Sequence, residues 1–281
     1  MLLFKKTGLL TAYLQKARNR GNTIGFAPTM GALHAGHIAL VTASKQENQL
    51  TVASIFVNPA QFNDKKDFEK YPVTIEKDIE LLVAAGCDIL FWPAAEEIYP
   101  GGYNQLAHYG LGYLETILEG KYRPGHFQGV CKVMNRLLDI VQPDNLYMGQ
   151  KDYQQCMVVK RLLAIMSSSA SLHTCPTLRE ADGLAMSSRN TRLNEAERKK
   201  AVAISFTLNY IKENIQPGNL TGIIDKGIAL LTGQDFRVDY VAIAGALTLE
   251  LLTEWDGKQK IVALVAAFQN EVRLIDNLLL N

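Results

Sequence analysis

The sequence predicts an α/β fold: a Rossmann-like, doubly wound parallel sheet followed by a second, smaller α+β C-terminal domain. Three observations carry this. Short apolar runs at Thr23–Ala27, Thr51–Val57, Asp88–Trp92, Leu146–Met148 and Leu172–Cys175 alternate with segments of helical apolar spacing. That alternation is the mark of parallel strands joined by right-handed crossovers. After Pro176 long helices and two late strands take over, which predicts domains at 1–176 and 177–281. A chain of 281 residues is ample for two cores.

Thr7 to Arg20 reads as an amphipathic helix with Leu10, Tyr13, Leu14 and Ala17 on one side and Gly21 at its end. The first strand then enters Phe26–His37, F-A-P-T-M-G-A-L-H-A-G-H. A strand that ends in a glycine turn and opens a helix aims backbone N–H groups and the positive helix end at one spot, which favours phosphate. His34 and His37 lie three apart and share a face if the helix has begun, with Gly36 leaving room for close approach. The chain holds five histidines, and two of them around a glycine at such a turn suit charge developing on phosphorus. Two surface histidines at a helix start are the plainer alternative, and a zinc pair lacks a third ligand nearby.

The second strand runs into Asn58-Pro59-Ala60-Gln61-Phe62-Asn63, where open α/β sheets place ligands. Amides there both donate and accept, although a plain polar turn fits equally. Thr74 to Ala85 reads as a helix with Glu76 and Asp78 in its first turn, and Pro93 closes the next strand. Ala94 to Gly125 is irregular, with a short helix around Leu114–Leu118, and long connections of this kind are more often functional than idle. Arg123 and His126 at its end are candidates to hold an anion. Phe127 to Val141 is helical and stops before Pro143. Leu146–Met148 then leads into Gly149-Gln150-Lys151-Asp152-Tyr153-Gln154-Gln155 and a helix to about Met166. In this second strand–glycine–helix junction Lys151 suits a phosphate and Asp152 a ribose hydroxyl.

In the last third, Arg179–Asn190 is polar, and Ser187, Ser188 and Arg189 suit phosphate oxygens, although Ser-Ser-Arg alone is unspecific. Asn194 and Glu197 make an N-cap pair for a helix to Asn214. A helix over Gly222–Leu231 and strands over Arg237–Ala242 and Lys260–Phe268 follow. The net charge of +1, with no basic run, argues against nucleic acid as a partner. Cys87, Cys131, Cys156 and Cys175 form no C-x-x-C and read as reduced thiols. The longest apolar run, Ile261–Phe268, is far short of a membrane span, and Met1–Lys6 is too short for a signal peptide. A cytoplasmic protein with small-molecule partners and no membrane is therefore expected.

Phosphate-suited features at three loops imply an ATP-sized ligand. Pro28–His37, Ser54–Phe62, Arg123–Phe127, Gly149–Gln155, Arg179–Asn190 and Arg273–Asn277, in that order, resemble the pantothenate synthetase (pantoate–β-alanine ligase) family of the nucleotidyltransferase superfamily. The resemblance implies an ATP-dependent ligase that condenses (R)-pantoate with β-alanine through pantoyl adenylate, releasing AMP and pyrophosphate. It implies His34, His37 and Lys151 as catalytic residues, His37 being the proton donor. ATP would be bound by Met30, Gly31, His34, Gly36 and His37, by Gly149, Gln150, Lys151 and Asp152, and by Leu178, Met186, Ser187, Ser188 and Arg189 of a C-terminal domain closing over it. Gln61 and Gln155 would hold pantoate from opposite sides near β-alanine, with Asn58 and Arg123 as further contacts. The metal ligands stay unassigned, with Mg²⁺ held mainly by the triphosphate and water. A homodimer is implied. Gln150 stands where the family pattern has Glu, Cys175 replaces a more aliphatic approach to Pro176-Thr177, and Ala244-Gly245-Ala246 lacks the usual acidic residues.

Other readings of the histidine pair are a nucleotidylyltransferase acting on a phosphate ester, a class I aminoacyl-tRNA synthetase and a non-catalytic nucleotide sensor. Near-neutral charge and the lack of an anticodon-binding region argue against the synthetase.

Overall fold

The computed structural model describes residues 1–62, 65–102 and 107–281. Asn63 of the amide turn and residues 103–106 of the irregular connection lie outside the described residues. Two compact units form, one of Met1–Gln150 with Gln154–Pro176, the other of Lys151–Tyr153 with Thr177–Asn281.

The first unit opens with β1 (Leu2–Phe4), α1 (Thr7–Arg18), β2 (Ile24–Thr29), α2 (Ala35–Glu47) and β3 (Leu50–Ile55). There follow α3 (Lys65–Glu69), α4 (Ile75–Ala84), β4 (Ile89–Phe91), α5 (Ala95–Ile98) and α6 (Leu118–Tyr122). It closes with α7 (His126–Val141), β5 (Asn145–Gly149), α8 (Tyr153–Ile165) and β6 (Ser171–Cys175), α8 beginning at the unit boundary. The six strands form one parallel sheet in the order β1-β4-β3-β2-β5-β6, with helices on both faces. β2 and β3 are buried almost throughout, as strands covered on both sides must be. Leu40, Val41, Ala53, Leu82, Leu90 and Tyr147 share a core under α2 and α4. The N-terminal strand β1 escapes sequence reading, because three residues at a sheet edge are too few to show a period.

The strand order reverses between β2 and β5. That is the switch point at which such sheets bind ligands outside the carboxyl ends of their strands. Here the crevice is written into the backbone. The amide of Asp144 donates to Ile24 and that of Phe56 to Thr29, so alternate residues of β2 face β5 and β3 in turn. Pro28 therefore faces β5 and offers it no N–H. The β2–β5 ladder holds Gly25 to Asn145 and Phe26 to Leu146 and stops there, whereas the β2–β3 ladder continues to Thr29.

The second unit contains α9 (Glu195–Ala201), α10 (Ala203–Asn214), β7 (Gly218–Asn219), α11 (Thr221–Thr232), β8 (Arg237–Gly245), β9 (Glu254–Trp255), β10 (Ile261–Gln269) and β11 (Val272–Leu279). β10 pairs antiparallel with β8 and with β11. Its apolar residues pack on Ile204, Leu208 and Ile211 of α10 and Leu231 of α11. The helix expected over Asn194–Asn214 is two helices that meet at Val202. Its start carries the expected capping box, Asn194 Oδ1 accepting from Glu197 N at 2.9 Å and Glu197 Oε2 from Asn194 N at 2.9 Å.

Candidate functional site

Three loops of the first unit leave the carboxyl ends of β2, β3 and β5. The β2 loop is bent by two consecutive left-handed residues, Gly31 with φ 84° and Ala32 with φ 50°. A side chain seldom adopts the second conformation, so something must hold it. Asp78 of α4 does. Its carboxylate is buried and accepts from Ala32 N at 2.9 Å, Leu33 N at 2.8 Å and Thr74 Oγ1 at 3.0 Å. Sequence reading places Asp78 as a helix-start charge and misses this role, since nothing local links it to a loop 45 residues away.

His34 is the N-cap of α2, and the two histidines cap it reciprocally. His34 Nδ1 accepts from Gly36 N at 3.2 Å, and His37 Nδ1 accepts from His34 N at 3.4 Å. Their rings lie 4.1 Å apart between centroids. A backbone N–H can only donate, so both Nδ1 atoms are acceptors and each neutral ring carries its proton on Nε2. The expectation that the backbone N–H groups of this turn point at phosphate is modified accordingly. Those of Ala32 and Leu33 go to Asp78, and those of His34 and Gly36 go to imidazoles.

The β3 loop forms a 3₁₀ turn, Pro59–Gln61. Asn58 beneath it is buried and fully used. Its Nδ2 donates to Gly129 O and Gln61 Oε1, both at 3.1 Å, and its Oδ1 accepts from Ala60 N at 3.2 Å and Tyr99 Oη at 2.9 Å. Gln61 is half-buried, and its Nε2 donates to the Met30 thioether at 2.9 Å. His126 Nε2 lies 3.1 Å from the Arg123 guanidinium, which has no acceptor, so His126 Nδ1 carries the proton and donates to Gln61 O at 2.8 Å. Arg123 also pairs with Glu119 at 3.6 Å. The two anion candidates of the irregular connection thus brace the amide turn.

A cavity of about 250 Å³ opens beside these loops, lined by Met30, Gly31, Phe56, Val57, Thr74 and Trp92 among others, with Asp78 in its wall. Across the switch point β5 ends at Gly149, and Gln150 opens a 3₁₀ turn. Gln155 is half-buried on α8. Its neighbour Gln154 is buried and ties the connection down, accepting from Glu119 N at 2.9 Å and donating to Leu114 O at 2.8 Å.

In the second unit, Lys151 O accepts from Asn277 Nδ2 at 2.9 Å, and Asp152 is exposed. The 178–186 loop folds back on itself, Met186 N donating to Leu178 O at 3.0 Å, and the Leu178 side chain is exposed. Ser187 caps the 3₁₀ turn Ser188–Arg192 by accepting from Arg189 N at 3.2 Å. The loop is tied to β11 by a bidentate pair, Arg179 to Asp276 at 2.6 and 3.1 Å. Burial pushes the Asp276 carboxyl up, against the pull of Arg179. Among the described residues, no group of three His, Cys, Asp or Glu is placed to hold a metal ion, and no helix is long and apolar enough to cross a membrane.

Comparison with known proteins fits this geometry. The family model described as pantoate-beta-alanine ligase matches residues 2–279. The pantothenate synthetase of Pseudomonas fluorescens is 45% identical over 274 residues, covering 97% of this chain and 95% of its own. That of Cytophaga hutchinsonii is 43% identical over 275 residues, covering 96% of each. A crystal structure of pantothenate synthetase from Thermus thermophilus superposes with a TM-score of 0.92 at 41% identity, covering 100% and 99% of the two chains. The pantoate-beta-alanine ligase of Francisella tularensis, crystallised with beta-gamma ATP and beta-alanine, gives 0.85 at 35% identity over 100% and 98%.

Proposed function

The chain belongs to the pantoate–β-alanine ligase family, and from that premise we propose that it condenses (R)-pantoate with β-alanine through a pantoyl adenylate. The observation that carries the chemistry is the pair of imidazoles at the switch point, each with its proton on Nε2.

A carboxylate is a poor acyl donor until one oxygen is joined to a good leaving group. In the first step a pantoate carboxylate oxygen attacks the α-phosphorus of ATP, and the bond from that phosphorus to the bridging oxygen breaks to release pyrophosphate. His34 and His37 donate hydrogen bonds from Nε2 to phosphate oxygens as charge builds there, and Lys151 adds a point charge. In the second step the free amine of β-alanine attacks the acyl carbon, the acyl–phosphate bond breaks, AMP leaves and the nitrogen gives up a proton. No covalent bond to the enzyme is needed, and the work is positioning and charge stabilisation.

The same reading gives the remaining nucleotide contacts to Met30, Gly31, Gly36, Gly149, Gln150 and Asp152, and to Leu178, Met186, Ser187, Ser188 and Arg189. Gln61 and Gln155 contact pantoate, with Asn58 and Arg123 behind them. Mg²⁺ enters as part of the Mg–ATP substrate, held mainly by the triphosphate and water. The same reading carries a cytoplasmic homodimer, which light scattering and cell fractionation check.

Pantoate-dependent exchange of labelled pyrophosphate into ATP, without β-alanine, tests the first step. Exchange that requires pantoate is expected. Exchange that ignores pantoate, or needs a phosphate ester instead, would overturn the reading.

A further inference from the structure

The amide of Gln61 must present one end to its ligand, and an isolated glutamine could present either. In this protein the choice is made elsewhere. Gly129 O can only accept and Ala60 N can only donate, and both touch the Asn58 amide, at 3.1 and 3.2 Å. They fix Asn58 with its NH₂ toward α7 and toward Gln61. Tyr99 Oη donates to Asn58 Oδ1 at 2.9 Å and reinforces the same orientation. Gln61 can then meet Asn58 Nδ2 only with its oxygen, at 3.1 Å, and its own NH₂ is turned outward. What that NH₂ touches is the Met30 sulfur, a weak acceptor that an oxygen ligand would displace.

Gly129 makes the arrangement possible. A Cβ there would stand 2.0 Å from Ala60 O and 2.6 Å from Gln61 Cα, so α7 can approach the turn only with glycine at this point. His126, one turn earlier on α7, holds the carbonyl of Gln61 from the same side.

We propose that Asn58, Gly129 and Tyr99 are positioning residues that set the polarity of Gln61, so that it offers an N–H donor to an oxygen of pantoate. This assigns Asn58 no ligand contact of its own, because all its hydrogen-bonding capacity is spent. It rests on the functional reading above.

The test measures pyrophosphate exchange by the full-length chain with pantoate and Mg–ATP varied in turn, beside thermal melts of each variant. Asn58→Asp replaces the donor by an acceptor and should turn Gln61 round. Gly129→Ala should push the turn away. Each should raise the KM for pantoate by roughly 10- to 100-fold, the scale of a lost hydrogen bond that leaves a buried group unpaired, with the KM for ATP near wild type. Tyr99→Phe removes one hydroxyl and should move the pantoate KM the same way by less, which keeps the test open if the other variants do not fold. In a Gln61→Ala background, Asn58→Asp should add little, since its effect passes through Gln61. An unchanged pantoate KM, a parallel rise in both KM values, or a full Asn58→Asp effect in the Gln61→Ala background would overturn the proposal. Wild-type protein without pantoate-dependent exchange would instead bring down the functional reading, and this proposal with it.

Discussion

The histidine turn after β2 and the amide turn after β3 sit side by side at the edge of one sheet and are held in opposite ways. The first has a backbone that resists its own conformation, left-handed at Gly31 and Ala32, and is clamped by the full charge of Asp78. The second has ordinary backbone angles and is held by a neutral amide, a tyrosine hydroxyl and the bare backbone of a glycine. A carboxylate gathers several N–H groups without discriminating among them, so it suits a loop that must be pinned. An amide has two unlike ends and transmits polarity to its neighbour. One device fixes shape and the other fixes direction.

Substitutions separate the two. The largest expected effect is on chemistry: His37→Ala should lower adenylate formation by roughly 10²–10³-fold, the usual cost of removing one hydrogen-bond donor from developing charge, with the fold intact by circular dichroism. Pyrophosphate release at the wild-type rate would remove His37 from the mechanism. Lys151→Ala should weaken ATP binding or adenylation by roughly 10- to 100-fold and leave pantoate affinity alone, as loss of a charge-assisted contact does; calorimetry with ATP checks it. Asp78→Ala leaves two buried N–H groups without an acceptor and should lower stability by about 2–4 kcal/mol in urea unfolding. Asn58→Ala should lower it by about half as much. If the two lose the same stability, pinning and orienting are not different tasks. The smallest effect is a control on the core. Burial pushes the Cys131 thiol up to about 12 and the Cys87 thiol to about 11, so neither should alkylate at pH 8 until the chain unfolds. Prompt modification of either in native protein would show that the core around it opens more readily than its packing implies.

Much of the scaffold is legible in the sequence because period and punctuation are strong there. β2, β3, α2, α7 and β10 follow from continuous apolar runs, a helical stripe and the glycines or prolines at their ends. β1 and β11 escape that reading: the first is three residues long, and the second is interrupted by Arg273, Asp276 and Asn277, whose partners Asp239, Arg179 and Lys151 lie far away in sequence. At the candidate site, the histidine pair stands out by type and spacing, whereas the amides after β3 fit a plain polar turn equally well. Asp78, Tyr99 and Gly129 do not stand out, because each works on a turn 41 to 71 residues away. Long-range contacts of single residues leave no local period to read.

The proline in β2 has one more consequence. Two register pairs stitch β5 to β2, at the amino-terminal end, and beyond them the seam lies open. A six-strand sheet is ordinarily a stiff plate. This one has a gap along a line through its middle, and β5 is held there from α2 and its cap instead, Asn48 Nδ2 donating to Tyr147 Oη at 2.9 Å and Tyr147 Oη to Glu47 Oε2 at 2.6 Å. The opening between β2 and β5, beside the two turns, thus follows from the absence of a single hydrogen, the one Pro28 does not carry.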